Sequence, residues 1–310
     1  MAIKVVPEDL APLDGYGGVA FASACEGVAV GVAGAVATTN DGGVSWSEQG
    51  SGFTGTLRDV AFAGPNQMIA VGGDPLTIII STDNGLTWNA PADPVPFHDD
   101  PRNALFGVAF ADQDLGFAVG EAIVDITPQA LVLRTTNGGS TWTPQFPARE
   151  AAIDFVDIAV INPLTAFAVG AGTTGIVGAI IRTDDGGDTW DLQTSGSPAR
   201  LNGVSFADDQ NGFAVGNEGT ILHTTNGGAT WKQQQSGITI EHLLRVWAID
   251  PFSAWVVGSD GVLLSTTNAG DTWATVDAGT NTPLTDLAFP TRCHGTVVGA
   301  NTILTVLGHP

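Results

Sequence analysis

The sequence predicts an all-β protein, a seven-bladed β-propeller of four-stranded antiparallel blades whose ring is closed by the N-terminal strand pairing with the last blade. Three observations carry this. A pattern of short apolar runs recurs seven times along the 310 residues. The spacing inside the pattern is constant. The 41 Gly punctuate short strands, and no segment sustains a 3.6-residue period, which excludes helical solenoids.

The elements follow in order. Apolar triplets begin at Val19, Val60, Val108, Ile158, Val204, Val246 and Leu287. Each is followed 12 residues later by a Gly, at Gly31, Gly72, Gly120, Gly170, Gly216, Gly258 and Gly299. Two strands joined by a tight loop fit that interval. A third strand follows, as in Thr220–His223 or Val262–Ser265, then a turn and a fourth strand starting at Thr-Trp. Four strands per unit of roughly 40–50 residues is propeller arithmetic. The chain reads as one domain over 1–310, with blades at approximately 17–56, 57–103, 104–149, 150–200, 201–240, 241–280 and 281–310 plus 3–6.

Six units carry a complete turn between the third and fourth strands, of the form Thr39-Asn40-Asp41-Gly42-Gly43-Val44-Ser45-Trp46. Its polar residue is Asp41, Asp83, Asn137, Asp185, Asn226 or Asn268, and its Trp is Trp46, Trp88, Trp142, Trp190, Trp231 or Trp273. The Asp or Asn side chain is expected to accept backbone N–H bonds within the turn. Gly supplies positive φ, and the buried indole N–H calls for a partner. Turn chemistry explains all six copies without a metal or a reaction. The seventh unit stops after Asn301–Val306, and Ile3–Val6 has the size of its missing outer strand. Such closure removes an exposed sheet edge. Cys25 and Cys293 hold equivalent positions in the first and last units, so a disulfide across the seam is an expectation, set against two half-buried thiols.

These turns resemble the Asp-box of bacterial-neuraminidase-type repeats over nearly the whole chain. The compact seven units, the apolar-Val-Gly ends and the Asn/Asp-Gly-Gly-x-Thr-Trp boxes together resemble the photosystem II stability/assembly factor family. That resemblance implies a non-catalytic propeller that holds partner proteins during assembly. The family is associated with a basic Arg patch; here Arg134, Arg182 and His223 form only a thin row at matching positions of blades three to five.

Charge narrows the partners. The formal net charge is −22, from 32 acidic and 10 basic residues. Such a surface repels nucleic acid and anionic lipid, and suits a cationic protein partner or a divalent cation. No run of 18 apolar residues marks a transmembrane span. No signal peptide is visible, and an exported location is favoured over a cytoplasmic one.

Departures from the repeat locate the expected site. The interval from box Trp to the next triplet is 20 residues between Trp88 and Val108, against 14–16 elsewhere. The interval from repeat Gly to box Trp is 22 after Gly120 and 20 after Gly170, against 15 or 16 elsewhere. The insertions 91–103, 121–130 and 171–178 emerge on one face, opposite the boxes and both Cys, and insertions on one face mark a binding surface. They carry Asp93, Phe97, His98, Asp99, Asp100, Arg102, Glu121 and Asp125 as partner- or ligand-binding candidates, with Glu218 and Asp260 in the shorter loops of blades five and six. Asp99, Asp100 and Glu121 would be the ligands of a Ca²⁺ ion. His98 lacks a second His or Cys at ligand spacing.

Catalysis is not expected. Sialidase chemistry needs an Arg cluster and a Tyr nucleophile, whereas Tyr16 is the only Tyr and the eight Arg are scattered. No nucleophile elbow, zinc signature or P-loop is present. The expected function is a protein-binding or assembly platform using the insertion face. The alternative is a carbohydrate-active enzyme or lectin with an acidic pocket at the propeller axis.

Overall fold

The computed structural model describes residues 4–7, 15–73, 75–93, 95–97, 99–124, 127–145, 153–172, 178–300 and 302–307. His98 and Asp125 lie outside these residues. The described chain is all-β apart from two single 3₁₀ turns, Val32–Gly34 and Ser259–Gly261. Among the described residues no helix is long and apolar enough to cross a membrane.

The units begin with the strands Tyr16–Phe21, Thr56–Gly64, Ala104–Phe110, Ile153–Val160, Leu201–Phe206, Leu243–Ala248 and Leu284–Thr291. In unit five, Leu201–Phe206 is followed by Gly212–Gly216, Ile221–Thr224 and Lys232–Gln234, paired in that order as one antiparallel sheet. Burial falls across it. The second strand is buried throughout and Lys232–Gln234 is mostly exposed. An apolar run without polar alternation suits a strand covered on both faces. The expected box Trp starts the outermost strand, where one aromatic covers the edge of the core.

Five described sheets have four strands, and units two and three merge into a seven-stranded sheet through the pair Gly73↔Ala104. The expected outer strand of the last unit is found at Lys4–Pro7, antiparallel to Thr302–Leu307 with Val5 opposite Val306. First strands of consecutive units pack together, and Tyr16–Phe21 also packs against Leu284–Thr291. Tyr16, Val19, Ala29 and Trp46 share one apolar cluster with Ala288, Val298 and Ile303.

The constant 12-residue spacing has a steric cause. Every first strand carries a bulge at the same place, where the strand register skips Gly17, Arg58, Phe106, Val156, Asn202, Leu244 and Thr285. The repeat Gly lies against that bulge. A Cβ on Gly216 would stand 2.0 Å from the Arg200 carbonyl oxygen, and on Gly170, 1.8 Å from that of Asp154. No side chain fits there, so each unit repeats Gly at this point.

The boxes behave as turns. Asp41, Asp83 and Asp185 each accept a backbone N–H four residues on at 2.9 Å, and Asn137, Asn226 and Asn268 do the same at 2.9–3.0 Å. Trp46 and Trp88 donate Nε1–H to Gly43 and Gly85 carbonyls, and Trp273 reaches Gln234 Oε1. The expectation of a partner for every indole fails at Trp142, Trp190 and Trp231, whose buried Nε1 atoms have none among the described residues. There the rings stand edge-on to Phe110, Phe117 and Phe167, and aromatic packing takes the place of the hydrogen bond.

Cys25 and Cys293 are free, exposed thiols, which corrects the seam disulfide. Each lies in the exposed turn joining its unit's first two strands, and equivalence in sequence fixes no Cα separation within bonding range.

Candidate functional site

Two positions in each first strand build the centre of the molecule. The residue immediately before the triplet reads Gly18, Asp59, Gly107, Asp157, Gly203, Arg245 and Asp286. The three Gly among them have a physical cause. A Cβ on Gly18 would meet Asp59 Cα at 2.7 Å, and one on Gly203 would meet Arg245 Cα at 2.9 Å, so Gly admits the next unit's charged residue. Each carboxylate then reaches forward. Val108 N–H donates to Asp59, Val204 N–H to Asp157 and Val19 N–H to Asp286, each at 2.8 Å. The last of these joins the first unit to the last.

Arg245 is the cation among these carboxylates. Its Nε lies 3.8 Å from Asp157 and 4.0 Å from Asp286, and its Nη1 donates to the Asn202 and Leu244 carbonyls at 2.8 and 3.2 Å. Three carboxyls around one guanidinium cannot all ionise cheaply away from water. Desolvation, then the neighbouring Asp59, pushes Asp286 up to about 8, with Arg245 opposing. Desolvation, opposed by Arg245, pushes Asp59 up to about 6. The group lines a cavity of about 440 Å³ bounded by all seven first strands. Its carboxylates are occupied in holding backbone, so they form a structural clasp.

The second position, two residues before the triplet, is the bulge. A bulge re-aims its residue, and all seven bulged residues line a second cavity of about 410 Å³. Arg245 borders both cavities. Val32 and Ala300, from connections between second and third strands, also line the second one, which places it on the insertion face. The wall is mainly apolar, through Leu57, Phe106, Val156 and Leu244. Arg58 and Arg245 supply the charged groups, the Arg58 guanidinium lying 5.0 Å from the Phe106 ring centroid. Near it Arg200 pairs with Asp154 at 2.5 Å. Burial, then Asp154, raises the Glu121 carboxyl above its ordinary range, while Arg200 and Arg58 oppose the shift.

The expected site residues divide. Glu121 is half-buried within the electrostatic reach of Arg58 but does not line the cavity. Asp93 and Asp99 are exposed in the 91–103 segment. Asp100 is committed to Arg102, accepting from its backbone N, Nε and Nη2, and the guanidinium holds it down at about 2. Phe97 packs on the core cluster of Val95, Leu76 and Ala122, so it anchors the loop. Buried Asn103 fixes the same loop, donating to the Phe97 carbonyl at 2.7 Å and accepting Ile123 N–H at 2.6 Å. The 121–130 insertion extends a hairpin, Leu115–Val124 paired with Thr127–Thr136. Among the described residues no three His, Cys, Asp or Glu gather as metal ligands, and Asp99, Asp100 and Glu121 are not brought together.

The thin basic row of Arg134, Arg182 and His223 is spent within the fold. Arg134 pairs with Asp188 of the next unit at 2.5 Å, and Arg182 donates to the Gly227 carbonyl of the next box at 2.8 Å. His223 is buried and stacked on Phe213. The cavity-lining residues that sequence reasoning did not single out are Arg58, Phe106, Asn202 and Arg245, and their signal was their fixed offset from each triplet.

Residues 196–283 match the family model described as photosynthesis system II assembly factor YCF48. The chain is 25% identical over 187 residues to the photosystem II assembly protein Ycf48 of Synechococcus sp. (strain JA-2-3B'a(2-13)), covering 59% of this chain and 51% of that one. It therefore spans about half the length of the curated relatives it matches. Among solved structures it is similar to YCF48 from Cyanidioschyzon merolae, with a TM-score of 0.76, 18% identity and 99% of each chain covered. It is similar to YCF48 bound to D1 peptide, with a TM-score of 0.74, 18% identity and coverage of 99% and 95%. A xyloglucanase of the GH74 type from Xanthomonas campestris gives 0.72 at 14% identity, covering 97% of this chain and 53% of that one. The shared element is the propeller fold.

Proposed function

We propose that this chain, a propeller similar to the photosystem II assembly factors, is a non-catalytic platform that holds a polypeptide partner on its insertion face. In this reading residues 1–310 form one seven-bladed ring. The pairing of Lys4–Pro7 with Thr302–Leu307 and the apolar cluster shared by the first and last units support closure.

The observation that carries the platform reading is the ring of seven bulged residues around the mouth. Internal repeats act as their own alignment. The repeat Gly never varies, and the clasp position is always Gly or a charged residue. The bulge position alone runs freely through Gly, Arg, Phe, Val, Asn, Leu and Thr, as a surface shaped for one partner would. An apolar mouth of about 410 Å³ with a stacked guanidinium suits a peptide side chain or chain end. The likeness to YCF48 bound to D1 peptide supports a peptide as the ligand class. The insertions 91–103, 121–130 and 171–178 would extend the contact around the rim.

The test is affinity capture from native extract with the wild type and with a ring whose three insertions are cut to the loop lengths of units five and six. A partner retained by the wild type and lost by the trimmed ring supports the platform. The alternative, a carbohydrate-binding or glycosidase role, is favoured by the likeness to the xyloglucanase. Binding or turnover on a glycan panel, with no captured protein, would replace the platform by that reading.

A further inference from the structure

Units three to five repeat one pairing across their second and third strands, and the last copy is titratable. Arg134 stands opposite Phe117, Arg182 opposite Phe167 and His223 opposite Phe213. The two arginines are always charged. Arg134 spends its charge across the junction on Asp188, the residue two before the Trp of the next box. Arg182 serves Asp184 of its own unit and the Gly227 carbonyl of the next. His223 lies under the influence of Asp271, which again stands two before the Trp of the next box. Among the six boxes only Asp188 and Asp271 are acidic at that position. The junction of units five and six therefore repeats the Arg134–Asp188 pair with a cation that exists only when protonated.

The surroundings favour the neutral ring. His223 is 8% exposed, and its imidazole stacks on Phe213 with 4.4 Å between centroids and 14° between planes. Its Nε2 is buried with no hydrogen-bond partner among the described residues. A charge at such a place is costly. The charged groups that face the ring are two. Asp271, from the unit-six box, favours the imidazolium, and Lys232, opposite on the outer strand, disfavours it. The second strand, Gly212–Gly216, supplies none. Desolvation outweighs Asp271 and holds the imidazole below its ordinary value of 6.5. The neighbouring contact at this junction does not titrate: Gln234 donates to the Ala269 carbonyl at 2.8 Å and accepts Trp273 Nε1–H at 3.4 Å.

We propose that His223 is an acid-operated release between units five and six, whose protonation frees the unit-six box turn, residues 268–273, from unit five. The sign follows from burial. An opened junction takes up a proton near the ordinary value of about 6.5, whereas the closed junction resists it. The stability of the closed junction is therefore complete above that value and is lost as pH falls toward the lowered one. Local openings have their own free energies, so this turn responds while the rest of the chain stays folded. The device sits on the box face and is independent of the proposed platform face.

The experiment follows the His223 ring resonances and the amide exchange of the full chain as pH is lowered, with exchange corrected for its intrinsic pH dependence. His223 should titrate below 6.5. Opening at 268–273 should rise by up to about tenfold per pH unit below that value, the slope of one proton. The unit-four box turn, held by Arg134, should show no such slope. D271N removes the carboxylate that favours the charged form and should lower the His223 titration further. H223F keeps an aromatic ring on Phe213, and H223R restores the residue type of units three and four; both should abolish the acid response. Titration of His223 at or above 6.5, exchange at 268–273 that ignores pH, or the same acid response in both variants would overturn the proposal.

Discussion

Replacing Arg245 with Met removes the one guanidinium among Asp59, Asp157 and Asp286 while keeping most of the side-chain volume. The Asn202 and Leu244 carbonyls lose donors at 2.8 and 3.2 Å, and Asp157 and Asp286 lose a cation at 3.8 and 4.0 Å. Removing one partner of a buried charge group costs ~3–5 kcal/mol. At ~2–4 °C per kcal/mol for a large single domain, the melting temperature should fall by ~6–20 °C. The loss should depend on pH. Asp59 and Asp286 are raised to about 6 and about 8 in the folded state, above their unfolded values. Folded protein therefore holds protons that unfolded protein releases, and that stability is lost as pH rises through these values. Without Arg245 the carboxyls ionise at greater cost, so the deficit of R245M should be larger at pH 8 than at pH 5. The box aspartates Asp41, Asp83 and Asp185 are lowered by their turn hydrogen bonds. Their contribution is lost only as pH falls into the acid range, outside this window. Thermal melts of both proteins at the two pH values decide it. A deficit below ~1 kcal/mol, the scale of an exposed pair, or one identical at both pH values would refute the clasp.

Two further substitutions test the repeat. Asp185→Ala should cost ~1–3 kcal/mol in urea unfolding, because its carboxylate accepts from Thr189 N, Thr189 Oγ1 and Thr183 Oγ1. Asp185→Asn should cost less, since Asn serves in three other boxes; equal losses would contradict the turn account. Gly216→Ala forces a Cβ to 2.0 Å from the Arg200 carbonyl oxygen. It should cost ~3 kcal/mol or more, as strained core changes do, and a neutral result in the same unfolding assay would remove the steric reason for the constant Gly.

The fold was legible because backbone constraints leave fixed residue types. The repeat Gly must face the bulge, the box must turn, and the apolar triplets must be covered on both sides, so each recurs at a set distance. Even the displaced strand at Lys4–Pro7 followed from the missing fourth strand of the last unit. The mouth was less legible because its residues vary between units. A position that reads Gly17, Arg58, Phe106, Val156, Asn202, Leu244 and Thr285 carries no composition signal, and only its bulge marks it. The insertions drew attention to Asp99 and Asp100 through length and charge. Length cannot tell a solvated loop from a contact, and Asp100 turned out to serve its neighbour Arg102. The Arg row misled for a related reason. A basic side chain beside a box reads as surface, yet Arg134 pairs with Asp188 of the adjoining unit, and Arg182 divides its donors between Asp184 of its own unit and the adjoining Gly227 carbonyl.

The central claim is that a polypeptide partner is held at the mouth and rim of the insertion face. Hydrogen exchange on the protein, alone and in complex with its captured partner, measures this most directly. The account predicts slowed exchange at Thr56–Arg58, Phe106, Asn202 and the 91–103 and 121–130 segments, with the box turns unchanged. Protection spread over the box turns with the mouth unaltered would contradict it.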